Sequence, residues 1–87
     1  RSKICKLQCV IQNPLREQEL LRSLPVIKSE RSGSVLTLTV RGERSEVIRI
    51  AEAQDPLFIE VLPLTLEEIF ISETEVAGYD IKDFFLL

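Results

Sequence analysis

The chain has 87 residues, 45% of them hydrophobic, which suits one small globular domain and excludes a second. Eleven Lys and Arg stand against 14 Asp and Glu, a net charge of -3 that argues against a general nucleic-acid or anionic-membrane surface. His, Met and Trp are absent, so the core is expected to be aliphatic, and imidazole chemistry and base-stacking platforms are excluded.

Ten of the eleven basic residues lie at or before Arg49, and only Lys82 follows. This division fits a solvated surface, and it is also the kind that orients a domain against a partner. No apolar run approaches the roughly 20 residues that span a bilayer, and no basic-apolar-small leader pattern is present, so direct membrane insertion is not expected. A chain that starts at Arg1 and contains no Met reads as a domain cut from a longer protein.

Lys3 to Gln12 alternates as a half-buried strand, with Cys5, Leu7, Cys9 and Ile11 on the apolar side. The two cysteines are too few for a disulfide scaffold and point to a reducing compartment. Their C-x3-C spacing invites a metal reading. With no His and no further Cys, four tetrahedral ligands cannot be assembled, and both thiols are assigned to the core.

Asn13-Pro14 supplies an N-cap and a first-turn proline for a helix to about Leu24, with Leu20, Leu21 and Leu24 on its inner face; Pro25 ends it. Val26 to Arg31 and Val35 to Arg41 form a hairpin about Ser32-Gly33. Ser45 is expected to cap a second helix, which presents Val47, Ile50 and Ala51 and runs to about Gln54. After Asp55-Pro56, Leu57 to Leu62 forms a fourth strand with Leu57, Ile59 and Val61 inward.

The order β-α-β-β-α-β predicts an α+β fold, specifically a ferredoxin-like two-layer sandwich with both helices on one sheet face. The other face would carry Lys6, Gln8, Thr37, Thr39 and Arg41, polar enough to stand in water. An additional C-terminal helix follows. Thr65-Leu66-Glu67-Glu68 is a capping box, Leu64 and Ile69 are spaced as a hydrophobic staple, and Leu66, Ile69 and Phe70 form an apolar stripe that Gly78 ends. Residues 79–87 form an apolar tail closing in Phe84-Phe85-Leu86-Leu87, which packs at home or docks on a partner.

Catalytic raw material is scarce. Gly33, Gly42 and Gly78 are isolated, so no phosphate-cradling loop exists. The carboxylates Glu67, Glu68, Glu73 and Glu75 raise an acid-base pair, but Glu67 and Glu68 are adjacent in a first turn, where capping explains them. Arg16 is the only hint of an acylphosphatase-like phosphate cradle. No catalytic, metal or cofactor-binding residue is assigned.

The string Ile59-Glu60-Val61-Leu62-Pro63-Leu64-Thr65-Leu66-Glu67-Glu68-Ile69-Phe70-Ile71, with Glu75-Val76-Ala77-Gly78-Tyr79-Asp80, resembles the C-terminal end of ABC-transporter ATP-binding subunits of the drug, antibiotic-peptide and bacteriocin exporter type. In that family a strand leads through a proline into a (Ser/Thr)-Leu-Glu-(Glu/Asp)-(Ile/Val)-Phe helix start, matched here by Pro63, Thr65, Leu66, Glu67, Glu68, Ile69 and Phe70. The likeness covers residues 59–80. It implies that residues 1–87 are a single C-terminal accessory domain, non-catalytic and regulatory, on the cytoplasmic side of the membrane. The parent chain would bind ATP and Mg. Implied partners are the ATPase core of the same chain, a second ATP-binding subunit in a homodimer, and a membrane permease subunit. Contact is expected through Phe84, Phe85, Leu86 and Leu87 and through Glu73 and Glu75. The alternative is a free-standing ferredoxin-like module that senses a small molecule, which requires a pocket with convergent polar groups.

Overall fold

Strict alternation in the first strand sets the layout, because a strand paired on both sides must send one set of side chains to each sheet face. In the computed structural model, which describes residues 3–68 and 70, the chain runs β1 (Ile4–Val10), α1 (Pro14–Ser23), β2 (Val26–Ser32), β3 (Val35–Arg41), α2 (Arg44–Glu52) and β4 (Phe58–Leu62). The four strands form one sheet in the order β2-β3-β1-β4, each neighbouring pair antiparallel. The fold is α+β.

β1 lies inside the sheet, and its register fixes the core. Leu7 faces Leu38 of β3 and Val61 of β4, Cys9 faces Leu36 and Ile59, and Cys5 faces Val40. Over this face lie α1 and α2, which contribute Leu20, Val47 and Ala51, all essentially inaccessible. The start of α1 is set by local chemistry. Asn13 Oδ1 accepts from the amides of Leu15 (2.9 Å) and Arg16 (3.4 Å), and Pro14 opens α1. Leu24 ends α1 in an extended conformation and is buried.

The hairpin turn is Gly33-Ser34, one residue later than expected, because Ser32 still pairs with Val35 and Gly33 takes the positive φ of 61°. α2 is not capped by Ser45. Gly42, at φ 146°, donates its amide to Lys3 O (2.9 Å), and this earlier turn makes Glu43 the N-cap, without a side-chain bond. Beyond α2, Asp55 adopts a left-handed conformation (φ 53°), tolerated by its short polar side chain. Leu57 is not inward. β1 ends at Val10, paired with Phe58, so Leu57 has no cross-strand neighbour; its amide bonds Val10 O (2.8 Å) and its side chain is 66% exposed.

The outer sheet face also departs from expectation. Thr39 is buried, Lys6 and Gln8 are half-buried, and Gln8 Nε2 donates to Thr37 Oγ1 at 3.4 Å. Lys6 is covered by the chain after β4: a third helix, with residues 66–68 and 70 helical, sends Glu68 to it. Among the described residues no helix is long and apolar enough to cross a membrane.

Leu38 is fully buried between β1 and β2. Leu38→Ala is expected to cost roughly 2–5 kcal/mol in urea unfolding, whereas Leu57→Ala should stay within about 0.5 kcal/mol.

Candidate functional site

The junction between β4 and the third helix is where the quoted sequence string becomes geometry. Thr65 N donates to Glu68 Oε1 (3.0 Å) and Glu68 N donates to Thr65 Oγ1 (3.1 Å), so the expected capping box is formed. The remaining carboxylate oxygen, Oε2, accepts from Lys6 Nζ at 2.8 Å, and both side chains of this pair are largely covered. Glu68 therefore starts the helix and ties it to the centre of the sheet. The Lys6 hydrogen bond, and after it the Thr65 amide, hold the Glu68 carboxyl below its ordinary value. This use of Glu68 leaves no acid-base pair with the exposed Glu67.

Arg16 does not build an anion cradle: its Nη1 donates to Ala53 O (3.4 Å) at the end of α2. Cys5 and Cys9 sit in the core as expected. Burial pushes both thiols up, with Arg44 opposing the shift at Cys5; at Cys9 Glu17 adds to it and Arg31 opposes it. Neither is poised as a nucleophile. The contact residues implied by the resemblance, Glu73, Glu75, Phe84, Phe85, Leu86 and Leu87, lie outside the described residues, as do Ile69 of the staple and Gly78. Leu66 and Phe70, of the expected stripe, are exposed, Leu66 at 86%.

Two adjoining depressions follow β4. One, of about 770 Å³, lies where β1 begins, β3 turns into α2 and β4 leaves the sheet. Its wall is aliphatic, from Ile4, Ile48, Val61, Leu62 and Leu64, and its charges are Arg44 and the Lys3–Glu43 pair, 2.9 Å apart. The second, of about 340 Å³, continues along α2 through Arg44, Ile48, Glu52, Ile59, Glu60 and Val61. An open aliphatic furrow with charges at its margins can hold another polypeptide segment. Arg44, Ile48 and Glu52 were missed in the sequence reading, although their four-residue spacing was a usable signal. Lys6 as the partner of Glu68 had none.

Comparison with known proteins finds no matching family model, no matching curated protein and no matching solved structure.

The Lys6–Glu68 pair should show a coupling of about 0.5 kcal/mol in a Lys6→Met, Glu68→Gln double-mutant cycle measured by urea unfolding. Because the folded pKa of Glu68 lies below its unfolded value, the unfolded state binds the extra proton. Its contribution is full above the ordinary value of 4.5 and fades as pH falls through the lower folded pKa. The coupling should therefore shrink below that pH. A thiol reagent at neutral pH should label Cys5 and Cys9 slowly in the native protein and rapidly in denaturant; fast native labelling would contradict their burial.

Proposed function

We propose that the chain is a non-catalytic interaction and regulatory domain, the C-terminal accessory domain of an ABC-exporter ATP-binding subunit, folded as a ferredoxin-like sandwich. The β-α-β-β-α-β order, the antiparallel sheet β2-β3-β1-β4 and the placement of α1 and α2 on one face support the sandwich reading. The observation that carries the functional reading is the junction itself. The residues that resemble the exporter subunits are no appended linker: Ile59 and Val61 pack on the core, and Thr65 and Glu68 cap a helix anchored through Lys6.

On this reading ATP and Mg belong to the preceding ATPase core. The domain contacts that core or a second ATP-binding subunit and influences dimer closure, on the cytoplasmic side of the membrane beside a permease. A second reading, a free-standing small-molecule sensor, draws on the 770 Å³ depression with Arg44 and the Lys3–Glu43 pair at its rim.

The natural reading frame is expected to encode G-x-x-x-x-G-K-(S/T) between a strand and a helix ahead of Arg1. Deleting residues 1–87 from that parent should alter subunit dimerisation, ATP turnover or transport; if all three stay unchanged the regulatory reading fails. If no such motif precedes Arg1 and a thermal-shift screen of amino acids and nucleotides stabilises the domain, the sensor reading takes its place.

A further inference from the structure

Among the described residues β4 ends the sheet, and none of them pairs with the far side of its backbone, which leaves that side for another strand. Above that edge α2 carries Arg44, Ile48 and Glu52, four residues apart and hence aligned in one stripe along the groove. Arg44 and Glu52 stand about 12 Å apart along the helix axis, too far to pair with each other. Among the described residues, neither side chain forms an ion pair or hydrogen bond. The stripe reads positive, apolar, negative, and it matches itself when turned through 180°. At the opposite edge of the sheet, β2 presents exposed Lys28, Glu30 and Arg31, a charged rim that discourages strand addition.

We propose that the β4–α2 edge is a homodimer surface, on which a second copy of this chain adds its β4 antiparallel to the first. A two-fold axis normal to the sheet keeps both helix layers on one side. It sets Ile48 against Ile48 of the partner subunit and Arg44 against Glu52 of the partner subunit. Register follows from the side chains. Pairing centred on Glu60 would oppose two carboxylates, whereas centring on Ile59 places Phe58 opposite Glu60 of the partner subunit and Leu57 opposite Val61 of the partner subunit. That register covers two large apolar side chains, Leu57 and Phe58, that the monomer leaves exposed. The inference rests on the geometry of α2 and β4 and stands or falls independently of the transporter reading.

Sedimentation equilibrium of the 87-residue chain from about 10 μM to about 1 mM tests it, since a short edge with two exposed charge pairs gives a modest affinity. A reversible dimer is expected. Arg44→Glu or Glu52→Arg alone should weaken it roughly tenfold or more, and the two together should restore it to within about threefold. In a Cys9→Ala background, which removes the thiol that faces position 59 across β1, Ile59→Cys oxidised without denaturant should give a covalent dimer, because Ile59 faces its own copy on the axis. A monomer throughout the range, single charge reversals without effect, a double variant as weak as the singles, or an Ile59→Cys, Cys9→Ala chain that stays monomeric would each overturn the proposal.

Discussion

The double pairing of β1 is the constraint from which the rest follows. A strand held between β3 and β4 can satisfy its backbone only if its side chains divide cleanly between two faces, and Ile4–Val10 does this with Cys5, Leu7 and Cys9 on one side and Lys6 and Gln8 on the other. A slip of one residue would put the lysine into the helix layer. Because Leu7 is met by Leu38 and Val61 at once, the apolar positions of the neighbouring strands are locked to it, and the helices take the places left above them.

The polar face solves a different problem. A charged Lys6 in the middle of a sheet needs an anion beside it, and the chain supplies one more than 60 residues later in Glu68. The same carboxylate is committed to the Thr65 amide through its other oxygen, so helix initiation and attachment to the sheet are one event. A helix too short in its described part to be stable alone is started in register with the surface that holds it.

Much of this was legible in the residues. Period-two alternation gave the strands, Asn13-Pro14 gave the start of α1, and the Thr65–Glu68 spacing gave the third cap, because each is a local relation. What escaped was set by distance. Ser45 looked like a cap, but Gly42 bonds Lys3 some 40 positions away and starts α2 earlier. Leu57 looked inward by parity, yet it falls past the end of β1, which only the register reveals. Lys6 looked solvated because nothing local announces that Glu68 returns to it. The groove residues Arg44, Ile48 and Glu52 were readable as a stripe, but their position over a sheet edge required the strand order.

That strand order has a consequence for how the molecule comes into being. β1 emerges first, and β3 reaches it after an intervening hairpin partner, but its other neighbour, β4, lies about 50 residues further on, pairing Lys6 with Leu62 and Val10 with Phe58. Until Phe58–Leu62 has been made, a nascent chain can complete only three strands and must leave the flank of its most apolar strand uncovered. Closing that long loop is entropically costly and kinetically late. Synthesis that pauses or terminates before β4 would leave a sticky half-sheet, whereas Phe58–Leu62 covers that flank of β1.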